Sequence, residues 1–497
     1  MGSVRPRESV CMRPFGGSVG GMALRPPSAA LLSDLAAALG PRGFSSDPND
    51  MKPWLTDWRG RYQGAAAALL SPATAEEVRT IVARCASERV GLVPQGGNTS
   101  MVGGATPEAD GRSLLLSTRR LNRIRSLSQD ENALVAEAGV ILTKVHEAAE
   151  QAGRRFPLSL GAKGSATVGG LVSTNAGGTQ VLRFGPMRSL VLGIEAVLPD
   201  GSLYSGLSAL RKDNRGYDLK QLLIGGEGTL GIVTAASLKL VPAPGSRAVA
   251  WVGIASPADA LRLLRWLEGR LGESVEAFEL VPREVLVSVL HHIPGVRAPL
   301  AELHAWNVLI ELVSPGSGAE ADALISEALA EALDSGLALD AMLAASEAQA
   351  QGLWRIRESI AEAERLEGPS VKHDISVPVS RLPEFMDKAR AAIERGFPGT
   401  RIVAFGHLGD GNLHYNVLPP EDGDAAAWIS VNGGKMTALV HDLVTSEGGS
   451  ISAEHGIGQH KIGELMRTAD PALLAAQAAI KKALDPAGIM NPHKLFT

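Results

Sequence analysis

Four clusters of glycine between residues 96 and 231 limit what this chain can fold into more than any other feature. They are Gly96-Gly97-Asn98-Thr99 with Gly103 and Gly104, Gly161 to Ser165 with Gly169 and Gly170, Asn175-Ala176-Gly177-Gly178, and Gly225 to Gly231. A turn built of glycine exposes successive backbone N–H groups and lets main chain approach a ligand closely. Each can therefore form a nest for phosphate oxygens. The clusters share small and hydroxyl residues and carry few bulky ones, which argues against a mere set of tight turns. The pattern Gly-x-Gly-x-x-Gly is absent from a strand–helix junction near the start, so a Rossmann domain is not expected.

A chain of 497 residues exceeds one simple core, and two or three domains are expected. Hydrophobic residues at 45% and charged residues at 20% fit a soluble globular enzyme. A net charge of −5 argues against a nucleic-acid partner. Cys11 and Cys85 cannot build a disulfide framework. No apolar run is long enough to span a bilayer. The first residues carry Arg5, Arg7, Arg13 and Arg25 against Glu8, which reads either as a weak targeting signal or as an extension upstream of a start at Met22. A cytoplasmic, bacterial-type protein is expected, and a mitochondrial one only if that stretch is a transit peptide.

Along the chain, residues 1–27 form a disordered or targeting-like extension and 28–42 an amphipathic helix. The run 67–70 reads as a strand. Thr74 starts a helix with Val78, Ile81, Val82 and Cys85 on its apolar face. Residues 91–93 form a strand that runs into Pro94-Gln95-Gly96, completing a strand–helix–strand unit that ends in a phosphate-type loop. A helix is expected over 143–152 and a strand over 190–198. Pro242-Ala243-Pro244-Gly245 marks the best domain boundary, between a ligand-binding domain at 28–243 and an antiparallel-sheet domain at 244–460. Helices are expected over 257–271 and 320–335, and a helical tail occupies 461–497.

The second constellation is Gly406-His407-Leu408-Gly409-Asp410-Gly411-Asn412-Leu413-His414, read with Glu454-His455. A hairpin through the Gly-Asp-Gly turn brings both imidazoles to one side, and Glu454 adds a hard oxygen ligand. His407, His414 and Glu454 can hold one divalent metal and leave a position open. His455 is left as a proton acceptor. The competing reading is that these histidines are hydrogen-bonded at a domain interface. His146, His291, His292, His304, His373, His441 and His460 lack partners at useful spacing.

The runs Leu160-Gly161-Ala162-Lys163-Gly164-Ser165, Thr167-Val168-Gly169-Gly170, Ser173 to Gly178, Arg183-Phe184-Gly185, Leu210 to Leu219 and Gly225 to Gly231 resemble the vanillyl-alcohol-oxidase-type flavoproteins. Within them the chain is most similar to the D-2-hydroxyglutarate and D-lactate dehydrogenase branch, over roughly Trp54 to Phe496. The resemblance implies an α+β fold. A two-part α/β FAD-binding domain would be joined by an antiparallel-sheet substrate domain, and a C-terminal helical segment would return to the flavin. It also implies FAD against Pro94, Gly96, Gly97, Asn98, Thr99, Ser100 and Gly103. Gly161, Gly164, Ser165, Thr167, Gly169, Gly170, Asn175, Gly177, Gly178 and Gly185 would line it too, with Glu227, Gly228, Gly231, Ile232 and Asn491. Relatives with covalent flavin carry a histidine in or near the first glycine turn. None stands here, so the FAD is expected to be non-covalent.

The same resemblance implies that the metal is divalent, usually Zn²⁺, acting as a Lewis acid on the substrate hydroxyl. His455 would accept the hydroxyl proton while a hydride passes to flavin N5. Arg357, Lys372 and Asn416 match the substrate-anchoring positions, with an ion pair on a helix as the alternative for Arg357. Where hydroxyglutarate enzymes usually carry threonine, this chain has Ala361, and where they often carry glycine it has His493. The expected reaction is oxidation of a D-2-hydroxy acid, D-2-hydroxyglutarate to 2-oxoglutarate, with D-lactate or glycolate as the alternative substrate. With no nicotinamide site visible, an electron-transfer flavoprotein, a quinone or a cytochrome would take the electrons. Two other classes stay open. One is an alkyl-glycerone-phosphate-synthase-like transferase, whose relatives carry adjacent rather than spaced histidines. The other is a binding protein without flavin. The sequence admits a homodimer without fixing it.

Overall fold

The computed structural model describes residues 23–496, so most of the N-terminal extension lies outside the described residues. Its last residues do not. Leu24 packs on the core, and the Arg25 N–H donates to the Arg89 carbonyl at 2.9 Å. Described structure thus begins before the first helix, Ala29–Leu39, whose cap is Ser28.

The first half of the chain carries two larger sheets. One is mixed, with strands Phe44–Ser45, Leu69–Leu70, Leu114–Ser117 and Leu92–Gln95 in that spatial order. Leu69–Leu70 and Leu92–Gln95 both run parallel to Leu114–Ser117. The helix Ala75–Glu88 makes the crossover between them. Its start follows from Thr74, whose Oγ1 accepts from the Glu77 N–H, while the Glu77 carboxylate reaches back to the Ala73 N–H. Val78, Ile81, Val82 and Cys85 face the sheet and are fully buried. The other sheet is antiparallel, in the order Ile124–Ser128, Ala133–Glu137, Ile232–Lys239, Val191–Val197, Leu203–Gly206. The stretch 160–178, read only as small residues, contains the helix Val168–Ser173.

Strands after residue 245 belong to a separate seven-stranded antiparallel sheet. Its spatial order is Asp340–Leu343, Ser246–Ile254, Trp306–Ser314, Val275–Pro282, Arg401–His407, Asn412–Leu418, Val371–Ser376. Alternation along the strands divides its two faces. Leu280, Ala404, Leu413, Tyr415 and Ile375 point into a core covered by helices Pro257–Leu271, Glu320–Asp334, Leu382–Gly396 and Ala425–Ser446. Trp251, Val281 and Phe405 point the other way, beneath Arg283–His292, Glu347–Glu358 and Ile360–Glu367. That second face carries the site.

The two halves are joined in several places. After the helix Pro471–Leu484 the chain returns beside Leu92–Gln95, with Leu92 and Asn491 exchanging backbone hydrogen bonds with Ile489 and Leu92. Among the described residues no helix is long and apolar enough to cross a membrane.

Glu276, fully buried at a bulge in its strand, takes charge-assisted bonds from Arg155 and Arg183 and one from Gln180, all from the first half. Glu276→Gln would leave two half-buried guanidinium groups short of a partner. The expected loss is about 3 kcal/mol, seen as a lowered unfolding midpoint that Glu276→Asp partly restores.

Candidate active site

The site is assembled from three adjacent strands and one loop. On the hairpin, His407 ends Arg401–His407 and His414 lies in Asn412–Leu418, with the Gly-Asp-Gly turn between them. Gly411 sits at φ +81° and its α-carbon faces the Val377 carbonyl, so only glycine closes this turn. Asp374 lies directly across from His414, and Lys372 across from Asn416. The loop Ser452–Gly456 then lays Glu454 and His455 over the hairpin.

His407, His414 and Glu454 each offer a ligand atom, and these atoms lie within 4.8 Å of one another. His407 Nε2 stands 3.8 Å from Glu454 Oε1. Its other nitrogen, Nδ1, meets Glu279 Oε1 at 2.7 Å. A carboxylate on the far nitrogen of a histidine is the usual support of a metal-binding imidazole. Burial pushes the His414 imidazole well below its ordinary pKa, so it is neutral, as a ligand must be. Burial raises Glu454 to about 7 against the pull of His407, with Asp374 and Asp410 adding to the rise. Burial would lower His407, but Glu279 and then Glu454 outweigh it and hold it at about 9. A metal there must displace that proton.

Asp374 was not singled out from the sequence, yet it organises the loop. Its Oδ2 accepts from the backbone N–H of both Glu454, at 3.1 Å, and His455, at 2.9 Å. It also faces His455 Nδ1 at 3.3 Å. Burial alone would raise Asp374. His455, Lys461 and His414 hold it below the usual carboxylate range instead. Burial lowers His455, and Lys461, Arg59 and Lys372 add to this against Asp374. His455 is therefore a neutral imidazole with its Nδ1 facing a carboxylate, able to take a proton on Nε2.

The anchoring candidates are placed as follows. Arg357, in the helix Glu347–Glu358, lies over the Phe405 ring and donates its Nε to Glu279 at 2.8 Å. Its partner is a buried strand residue rather than a surface acid. Lys372 donates to Glu364 at 2.6 Å. Asn416 is buried, and its Oδ1 accepts from the His373 N–H. Ala361 is exposed. His493 adopts φ +59°, the left-handed region where glycine is easiest. Four of the histidines set aside have polar partners in space: His441 with Glu464, His373 with the Tyr415 carbonyl, His146 with the Leu158 carbonyl, and His460 with Tyr62 and Arg61.

In the first half, the glycine clusters pack against each other. A Cβ on Gly96 would fall 2.2 Å from Thr167 Oγ1, and one on Gly97 would fall 1.9 Å from the Ser165 carbonyl. Gly161 and Gly164 look onto open space, while Gly169 abuts Ala138 and Gly178 abuts the Ser159 carbonyl. Asn98 holds φ +53° and donates to the Thr56 carbonyl; after Thr99, Ser100 Oγ accepts from the Gly104 N–H, closing the turn through Gly103. Asn175 Oδ1 accepts from the Arg188 N–H, Gly185 lies against Ser189, and Gly170 lies beside Thr167. Pro94 packs on Gly228, Gly231 faces the Val197 carbonyl, and Ile232 begins the strand paired there. Thr167 Oγ1 is buried without a partner, an atom suited to a ligand oxygen.

Contacts from Gly177 and Glu227 bring this region to the segment that carries Glu454 and His455. A Cβ on Gly177 would lie 3.2 Å from Glu454 Oε1. Glu227 accepts from the N–H groups of Ile457 and Gly458, and its carbonyl accepts from Asn491 Nδ2.

Residues 243–495 match the family described as FAD linked oxidases, C-terminal domain, and residues 66–206 match the FAD binding domain. The chain is 40% identical over 475 residues to the mitochondrial D-2-hydroxyglutarate dehydrogenase of Bos taurus, covering 95% of this chain and 85% of that protein. It is 36% identical over 453 residues to the D-2-hydroxyglutarate dehydrogenase of Xanthomonas citri pv. viticola, covering 91% and 94%. Among solved structures, an alkyldihydroxyacetonephosphate synthase superposes with a TM-score of 0.70 at 18% identity, covering 96% of this chain and 88% of that one, a likeness of fold alone. With an FAD binding domain in its first half and the matching C-terminal domain in its second, the chain belongs to the FAD-linked dehydrogenase family of vanillyl-alcohol-oxidase fold that includes the D-2-hydroxyglutarate dehydrogenases.

Proposed function

We propose that this chain is an FAD-dependent dehydrogenase of D-2-hydroxy acids, with D-2-hydroxyglutarate oxidised to 2-oxoglutarate. The observation that carries this reading is His455, facing Asp374 at 3.3 Å beside a His407–His414–Glu454 cluster that abuts the glycine-rich half at Gly177. A base, a metal-type donor set and a flavin-type cradle converge there, which is what removal of a proton and a hydride from one carbon requires.

His407, His414 and Glu454 are the residues that would hold a divalent ion, with Zn²⁺ fitting two imidazoles and a carboxylate. Such an ion supplies a Lewis acid that lowers the pKa of a chelated hydroxyl, and FAD supplies the hydride acceptor. Glu279 orients His407 toward the cluster. His455 receives the hydroxyl proton on Nε2, and Asp374 stabilises the imidazolium that forms. The glycine clusters with Thr167 cradle the cofactor. Reoxidation falls to an electron-transfer flavoprotein, a quinone or a cytochrome.

One observation favours D-lactate or glycolate as a second reading. Arg357 and Lys372, the cations expected to grip a second carboxylate, already face Glu279 and Glu364. Anaerobic mixing of FAD-loaded protein with each acid separates the readings. Bleaching of the flavin by D-2-hydroxyglutarate supports the first, bleaching by D-lactate alone supports the second, and bleaching by neither sinks both.

A chelator that strips the His407–His414–Glu454 site is expected to abolish flavin reduction and leave bound FAD in place, with added Zn²⁺ restoring it. Unchanged bleaching after verified metal removal would overturn the role of the cluster. His455→Gln is expected to slow flavin reduction about 10²- to 10⁴-fold, with metal and FAD content unchanged. Gly97→Ala forces a methyl into the Ser165 carbonyl, and the purified variant should be colourless or release its FAD on dilution.

A further inference from the structure

A cation free to meet the distal end of a dicarboxylate lies outside the hairpin, on the loop Thr56–Gln63 in the first half of the chain. An isolated bridge between Thr56 and Gln63 closes this loop. Asp57, buried at its base, spends both carboxylate oxygens on loop backbone: Oδ1 accepts from the Tyr62 N–H at 2.7 Å and Oδ2 from the Arg59 N–H at 3.2 Å. One side is tied to the first glycine turn, where Asn98 donates to the Thr56 carbonyl. The other is tied to the segment that carries His455, where Tyr62 Oη meets His460 Nδ1 at 3.0 Å and Arg61 meets His460 Nε2 at 3.3 Å. The loop therefore spans from the cofactor turn to the catalytic segment, with Arg59 near its tip.

The cations around the site differ in what they face. Arg357 is paired with Glu279, Lys372 with Glu364, and Lys461 lies 3.9 Å from Asp374 while donating to the Asp374 and Ile451 carbonyls. Arg59 is half-buried, and among the described residues no carboxylate comes within ion-pair distance of its guanidinium and no side-chain hydrogen bond holds it. A desolvated guanidinium without a partner is costly to keep. Burial lowers Arg59 to about 10, with Arg61 adding to this against Glu364 and Asp374. It remains charged near neutrality, close enough to Glu364 and Asp374 to feel their charge.

Resting on the reading of the chain as a D-2-hydroxy-acid dehydrogenase, we propose that Arg59 is the specificity-determining residue that receives the distal carboxylate of a dicarboxylic substrate. The first half of the chain thereby contributes to substrate choice as well as to flavin binding. A guanidinium matches a carboxylate with two parallel hydrogen bonds. A monocarboxylic acid such as D-lactate leaves it unmet.

The test uses FAD-loaded, metal-replete protein and the variants Arg59→Gln and Arg59→Lys. Anaerobic flavin reduction is followed against D-2-hydroxyglutarate and D-lactate, and binding of 2-oxoglutarate and pyruvate to the oxidised protein is read from the flavin spectrum. Loss of a charge-assisted contact predicts that Arg59→Gln weakens D-2-hydroxyglutarate and 2-oxoglutarate about 10- to 100-fold. D-lactate and pyruvate should shift by less than about threefold on the same grounds, and Arg59→Lys should recover part of the loss. An unchanged affinity for both dicarboxylates overturns the proposal, as does an equal loss for both acid lengths, which would mark a structural role. Wild-type protein that neither acid bleaches would fail earlier and separately, by sinking the dehydrogenase reading itself.

Discussion

Everything chemical in this protein hangs on the Asp374 carboxylate. It is buried on an edge strand, yet it accepts from two successive backbone N–H groups, those of Glu454 and His455, and faces the His455 ring as well. One anionic group thus fixes both the backbone of the loop Ser452–Gly456 and the orientation of the His455 ring. Asn412, on the neighbouring strand, donates to its other oxygen. A loop on the sheet surface would otherwise have several conformations of similar energy, and a ligand set spread between loop and hairpin would lose its spacing.

Charge is distributed around that anchor in alternation. Glu279, His407, Glu454 and His414 form a chain in which acid and imidazole follow one another, and Arg357 closes the far end on Glu279. Burial would raise Glu279, but His407 and Arg357 outweigh it and hold it at about 2. The Glu279–His407 pair at its centre stays ionised in a low-dielectric setting because each partner stabilises the other.

Much of this was legible in the sequence, for reasons that can be named. The helix over Ala75–Glu88 announced itself through a capping threonine and a regular apolar face, and the His407–His414 hairpin through its glycine turn. Asp374 was missed although its neighbours Lys372 and His373 were noticed. Period-two alternation places Lys372 and Asp374 on one face, so the cation should have pointed to the acid. Glu279 had a weaker signal, a single carboxylate in the apolar run Ala277 to Val281. Arg59 had none, because its relevance depends on a fold-back that joins residues some four hundred positions apart through Tyr62 and His460. The packing of Gly96 and Gly97 on Thr167 and Ser165 was equally invisible, since spacing along a chain does not say which turns will meet.

The return of the chain to Leu92 has a consequence for how the protein comes into being. Asn491 donates to the carbonyls of Gly104 and Glu227, bracing two of the glycine turns, and Met490 and Ile489 lie alongside the first-made parallel strands. During translation those turns emerge 387 and 264 residues before the asparagine that braces them. The contact that braces both turns can therefore form only after residue 491 has been made. The brace belongs to the latest-made segment that touches these turns, and a fragment ending before Asn491 would leave the Gly104 and Glu227 carbonyls without it.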